Sequence, residues 1–469
     1  MDEEQEQNSL YEKALALIDA LEQEAQPNYY ESEMLIEMCE ALIDLDGFEQ
    51  AEKIAQYGLS VFPKAADFYR IKALVSSLIE TVEVALEHIN TSLGLDNTNG
   101  NAWLLKAGIL DLMDKPLEAI DCLEFAEDLG IDRDEILLQK AKFYLHAENA
   151  LMCKMTLETL LSQTIEFEDT FLDLYLLIQG MGDFEYGATI LQHYTKMDPL
   201  AALAWHFLGD CYEANGQSLE ALEAYDMSIA LEGQFESSYI SKGMIYMNEY
   251  AFLDALETFK SMIARCGESA TAFFLVGECY RKNAQHILAR KYLNKCLKLE
   301  QSYALAWNAL ARSFVDTQEH EKALGYMKKA LKLSPDDAFI RFDFANLLLE
   351  LQEYTDALKL LEEGFKIDAE YPPFHTLYAE IMFSKGEREK AVKYLQKLDL
   401  QLIDDAYYHY KVAAYLYALG DTQGCMEAAQ RGLELNHDLH TAIFESYPPA
   451  RDYPPLISLI DLYDLDPEE

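Results

Sequence analysis

Every 34 residues along this chain, a small residue returns to the same two places. Counted in strides from Ser32, the twentieth place holds Ala51, Ala85, Ala119, Cys153, Gly187, Ala221, Ala255, Ala289, Ala323, Ala357, Ala391 and Cys425. The eighth place holds Cys39, Ala73, Ala107, Ala141, Tyr175, Gly209, Gly243, Gly277, Ala311, Ala345, Ala379 and Ala413. Small residues so placed let the two backbones of an antiparallel helix pair approach closely. One such pair cannot bury its apolar face alone, so each must stack on its neighbours. The period predicts an all-α stack of helical hairpins, and it overrides the division into about three ordinary domains that 469 residues would suggest.

The stride Ala202–Phe235 shows the pattern most plainly. Trp205, Leu208, Gly209 and Tyr212 share one helical face, and Asn215-Gly216 ends it. A second face follows with Ala221, Leu222, Tyr225, Ile229 and Leu231. Later strides repeat the theme with Tyr239, Gly243, Tyr246, Ala255 and Phe259, then Phe273, Gly277, Tyr280 and Ala289. Trp307, Leu310, Phe314, Ala323 and Ala330 follow, closed by Pro335. This pattern resembles the tetratricopeptide repeat (TPR). The resemblance covers residues 32–439 as twelve units without insertion or deletion, and it implies an α-solenoid wound into a right-handed superhelix. Two departures stand out. The closing Pro occurs only as Pro63, Pro199 and Pro335, and Tyr175 occupies a small-residue place. Such a bulky side chain predicts that the fifth unit's helices are pushed apart or rotated.

A stack needs a cover at each end. Residues 1–31 are expected to supply one through Leu10, Ala14, Leu17, Ile18 and Leu21, at helical spacing before Pro27. Residues 440–469 are expected to supply the other. There Tyr447-Pro448-Pro449 and Tyr453-Pro454-Pro455 lead into a short amphipathic helix with Leu456, Ile457, Leu459, Ile460 and Tyr463, then an acidic tail.

The formal charge of −46 is unevenly placed, because residues 270–337 carry eleven basic and seven acidic side chains. The acidic remainder repels nucleic acid and anionic membrane surfaces, and it keeps copies of a long solenoid apart. No apolar run approaches the roughly 20 residues of a membrane span. The acidic start, Met1-Asp2-Glu3-Glu4, predicts no secretory signal. Eight cysteines without a CxxC pair fit reduced thiols and a cytoplasmic location. No phosphate-binding glycine loop or HExxH pair occurs, and His437 and His440 lack a third ligand nearby. The expectation is a protein without catalytic activity, metal or cofactor.

The resemblance further implies that first helices line a concave face, with their second, fifth, ninth and twelfth residues pointing inward. In that frame the last three units present Phe339, Phe342, Asn346 and Leu349, then Phe383, then Tyr407, Tyr410 and Tyr417, with Glu380 among them. Either these aromatics grip a peptide, or they pack on one another and on the Tyr-Pro-Pro segment. Arg281, Lys282 and Arg312 form a secondary basic patch at inward places, suited to a carboxylate-bearing segment. Arg290, Lys291, Lys295, Lys298, Lys328, Lys329 and Lys332 lie on second helices, where a solvated face or an acidic repeat of another copy both fit. Chaperone-binding members of the family hold a terminal carboxylate with Lys at the fifth place and Asn at the ninth. Pairs here such as Arg70/Leu74, His206/Asp210, Asn308/Arg312 and Phe342/Asn346 do not match, so chaperone-tail binding is not expected. The expected role is a scaffold that binds a protein or peptide in the groove. The alternative is a non-catalytic recruiting or regulatory arm of an enzyme or transcription-control complex.

Overall fold

Small residues set how closely the helices approach. The computed structural model describes residues 2–23, 29–161, 171–369, 372–397 and 405–464, and every regular element among them is a helix. All the twentieth-place residues are buried, as are all the eighth-place residues except Tyr175. The two places meet directly in the first pair, where the Cys39 thiol donates to the Ala51 carbonyl at 3.5 Å. Gly243 shows how little room remains, since a Cβ there would lie 2.3 Å from the Phe259 ring.

The chain forms two compact units, Met1–Ala221 and Leu222–Glu469. In the first, the leading helices of the pairs are Ser32–Ile43, Ala66–Ile79, Gly100–Leu112, Arg133–His146, Phe171–Met181 and Ala202–Ala214. In the second they are Glu236–Asn248, Ala270–Lys282, Ala304–Val315, Ala338–Glu350, Pro372–Ser384 and Ala406–Ala418. Within each unit a second helix packs between its own first helix and the next one, as Phe48–Val61 does between Ser32–Ile43 and Ala66–Ile79 and His286–Leu299 does between Ala270–Lys282 and Ala304–Val315. First helices of successive pairs also touch, as Ala270–Lys282, Ala304–Val315, Ala338–Glu350, Pro372–Ser384 and Ala406–Ala418 do in series.

Except after helix Ala66–Ile79, where Glu80 keeps negative φ, the turn between paired helices follows one plan. Its central residue takes positive φ at Asp46, Asp114, Glu148, Gly182, Gly216, Tyr250, Ala284, Gln318, Gln352, Gly386 and Gly420, each at the fifteenth place. The next amide then reaches back to the carbonyl of the eleventh place, for example Gln285 to Tyr280 at 2.8 Å and Glu353 to Leu348 at 2.8 Å. This closes the first helix by satisfying a carbonyl that has no partner within it. Glycine takes that conformation freely, whereas the side chains at the other turns oppose it.

A second device ties six of the pairs to the one before. The fourth-place side chain bonds the carbonyl six residues earlier, at the end of the preceding unit. Trp103 donates to Asn97, Trp205 to Pro199 and Trp307 to Gln301, all at 2.9–3.0 Å. Tyr239, Arg341 and His375 make the same reach to Gly233, Pro335 and Ala369. An indole has an apolar body and one N–H donor, so it can pack on a helix while its edge satisfies a loop carbonyl.

Both ends are covered. Ala14, Leu17 and Ile18 of helix Asp2–Glu22 are buried in the first pair's core. At the other end Ile443, Ala450, Leu456 and Ile460 are buried with Tyr410, Ala413 and Leu433. The residues of the expected boundary Pro27 and the acidic tail after Asp464 lie outside the described residues. Tyr175 turns its side chain toward the next pair, where its ring stacks on Phe207, 3.8 Å between centroids, and its hydroxyl donates to Asp210 at 2.7 Å.

Three outcomes follow from this packing. Gly243→Ala lowers thermal stability by about 1–3 kcal/mol despite alanine's better helix propensity, because the buried Phe259 ring has nowhere to move. Ala284→Gly raises it by about 1 kcal/mol, relieving the strain of φ 54°. Burial pushes the thiols of Cys39, Cys211, Cys279 and Cys296 up to about 12. A maleimide applied to the native chain at neutral pH therefore modifies the half-buried Cys266 first, as mass spectrometry of digests will show, and the other seven only on unfolding.

Candidate binding surface

Because first helices lie side by side, a polar group on one meets the next helix about one repeat later. Arg281 bonds Asp316 at 3.1 Å, and Asn308 donates to Asp343 at 2.6 Å. Earlier in the chain Tyr175 reaches Asp210 and His146 reaches Asp111 at the same spacing. These links stitch successive units along the row of first helices.

The strongest of them corrects the expected basic patch. Arg281 is buried, and its guanidinium holds Glu278 at 2.8 Å as well as Asp316. Burial alone would raise the Glu278 carboxyl, but Arg281, joined by Arg312 and Lys282, more than reverses this and holds it below its ordinary value. Arg312 lies 3.5 Å from Asp343 and 5.1 Å above the Phe339 ring. Asp343 stays raised, since burial outweighs the attraction of Arg312 and the Asn308 bond. Lys282 alone of the three expected residues is exposed. Two guanidiniums set among Glu278, Asp316 and Asp343 leave no surplus positive charge for a ligand carboxylate.

The aromatic set divides. On helix Ala338–Glu350, Phe339 is 42% exposed, and Phe342, Asn346 and Leu349 are half-buried along one face. Tyr407 is also exposed. Tyr410 is fully buried, with its hydroxyl donating to the Asn436 carbonyl at 2.8 Å and its ring where a Cβ on Gly432 would fall. It is a core residue, a correction to the expected groove. Phe383 stacks on Tyr415 with 4.2 Å between centroids and meets the edge of Tyr447. Tyr417 stacks on Tyr453 at 5.0 Å and also contacts Tyr447. The Tyr-Pro-Pro segments thus lie against Phe383 and Tyr417.

One charged pair in this region escaped the sequence reading. Lys411 is buried, pairs with Glu380, and lies 4.9 Å from the Tyr407 ring. The signal was present as a lysine in an otherwise aromatic and apolar helix, where only a carboxylate on the neighbouring helix makes burial tolerable. The rings of His437 and His440 lie 4.9 Å apart and tilted by 35°, with a ring nitrogen of His440 at 2.9 Å from the His437 carbonyl. Among the described residues no three His, Cys, Asp or Glu side chains converge as metal ligands, and no helix is long and apolar enough to cross a membrane.

Arg281→Met leaves two carboxylates beside an apolar side chain and lowers stability by about 3–5 kcal/mol at neutral pH. The depressed Glu278 contributes stability above its unfolded value that is lost as pH falls through its folded one. Denaturant titrations should accordingly show the difference between variant and wild type narrowing in acid.

Comparison with known proteins places this geometry. Sequence profiles described as tetratricopeptide repeat match residues 179–234 and 280–338, and residues 314–364 and 348–415. No curated protein matches the chain. Among solved structures, yeast Tom70 is similar at 13% identity and a TM-score of 0.48, over 92% of this chain and 96% of that one. The Cut9–Hcn1 hetero-tetramer of the APC/C gives 13% identity and a TM-score of 0.40 over 86% and 90% of the two chains. A TPR protein of Thermus thermophilus gives 20% identity and a TM-score of 0.35, over 39% of this chain and the whole of its own.

Proposed function

Because this chain is a tetratricopeptide repeat protein, we propose that it is a protein-interaction scaffold. In this reading residues 32–439 form twelve repeat units between two helical caps, and the first-helix row is the concave face that holds a peptide or protein partner. The observation that carries it is the face of helix Ala338–Glu350. There Phe339, Phe342, Asn346 and Leu349 remain wholly or partly open to solvent, although the pair's small places and core are already filled. An exposed phenylalanine supplies large contact area at little entropic cost, and Asn346 supplies a donor and an acceptor for a peptide backbone. Tyr407 extends the row, while Phe383 and Tyr417 border it beneath the Tyr-Pro-Pro segments. Lys282 is the exposed residue of the expected basic patch.

The reading gives the chain no catalytic step and places it in the cytoplasm, where its eight free cysteines stay reduced. Nucleic acid is an unsuitable partner for a chain of net charge −46.

A photo-crosslinking amino acid placed at Phe339, in the chain's own cells, is expected to trap a discrete partner. The same probe at Leu219, exposed on a second helix, should not trap it. Phe342→Ala combined with Asn346→Ala should abolish the adduct formed by the probe at Phe339. An adduct insensitive to those changes, or identical at both probe sites, contradicts the reading.

A further inference from the structure

Grooves recur between successive second helices, at the same places in the repeat. Over helix Glu236–Asn248 the groove holds about 330 Å³, over Ala338–Glu350 about 520 Å³, and over Pro372–Ser384 about 480 Å³. Their rims use the nineteenth, twenty-second and twenty-sixth places. In the first groove these are Asp254, Glu257 and Ser261, and in the second Asp356, Lys359 and Glu363. In the third they are Lys390, Lys393 and Lys397, all exposed. Lys390 and Lys393 share one edge of helix Arg388–Leu395, and Lys397 follows in the turn just after it. Glu362 also lines this groove, and Lys390 pairs with Glu387 at 2.9 Å, which leaves Lys393 and Lys397 as its further rim cations in a chain of net charge −46.

The floor differs as well. Tyr378, Met382, Tyr394 and Phe365 line it. Tyr394 donates its hydroxyl to Nδ1 of His375 at 2.7 Å, and Nε2 of His375 donates to the Ala369 carbonyl at 2.8 Å. With that polar end tied inward, the Tyr394 ring offers the groove mainly apolar surface. On other second helices Lys329 lies 3.5 Å from the Trp307 ring centre and Lys295 4.5 Å from that of Phe273.

We propose that this groove is a second docking site, separate from the first-helix face, for an acidic amphipathic segment of a partner protein. Carboxylates of the segment meet the lysine row while an aliphatic or aromatic side chain enters between Tyr378, Met382 and Tyr394. A short segment is the fitting occupant, because a second copy of the chain would bring another 46 negative charges against this one.

The test is fluorescence anisotropy of the full chain with a labelled peptide Asp-Leu-Glu-Phe-Glu-Leu-Asp. Binding is expected, weakening as salt rises. Lys390→Glu/Lys393→Glu/Lys397→Glu should weaken it by about tenfold or more, with unchanged helical circular dichroism since all three side chains are exposed. A peptide with Asn and Gln in place of Asp and Glu should lose affinity similarly. Phe339→Ala/Phe342→Ala should leave binding intact, which separates failure here from failure of the first-helix reading. Absence of binding, or equal binding by the triple lysine variant, overturns the proposal. So does binding lost only in the phenylalanine variant, or lysine-dependent self-association in sedimentation without peptide binding.

Discussion

Close approach of paired backbones at the eighth and twentieth places is the constraint on which the rest of this structure depends. Where the two places meet, as at Cys39 and Ala51, no side chain separates the helices. At Gly187 a Cβ would reach Ile178 of its own pair and Cys211 of the next, so three helices share one spot. The turn and the tie to the preceding unit then follow. A pair held this tightly needs an abrupt reversal, which the chain achieves with positive φ even at Asp114, Tyr250 and Gln318. The energy opposing that conformation is offset by a satisfied carbonyl and by the core the turn permits. Where the fourth place carries a donor it fixes the pair on the preceding loop, and it matters little whether that donor is indole, phenol or guanidinium.

The charge distribution is arranged around this scaffold rather than producing it. Residues 1–221 hold 43 acidic and 12 basic side chains, and residues 222–469 hold 40 and 25. Much of the positive charge in the second unit is consumed internally. Arg281 and Arg312 answer Glu278, Asp316 and Asp343, Arg290 answers Glu319, and Lys411 answers Glu380. Buried charges of this kind contribute more to the register between neighbouring helices than to net stability. The lysines left in solvent beside an apolar floor are therefore the informative ones.

The architecture was legible because size at two places is a property of single residues, and a 34-residue period exposes it without knowledge of contacts. The groove was less legible. Phe339 and Tyr410 look equivalent in a helical frame, yet Tyr410 fills the space left by Gly432 and is covered by the terminal helices, while Phe339 has no such lid. Arg281 looked available because its partner Asp316 is 35 residues away on another helix, where local patterning does not reach. The partners of Tyr175 were hidden for the same reason, since Phe207 and Asp210, which receive it, lie in the next unit. Non-glycine turns hid because glutamine and alanine carry no mark of positive φ.

Residue-resolved hydrogen–deuterium exchange of the native chain tests the central claim most directly. If packing at the small places holds the stack together, the slowest amides will cluster around them and recur every 34 residues through the described helices. Rapid exchange at those places, with protection concentrated elsewhere or lacking the period, would contradict the account.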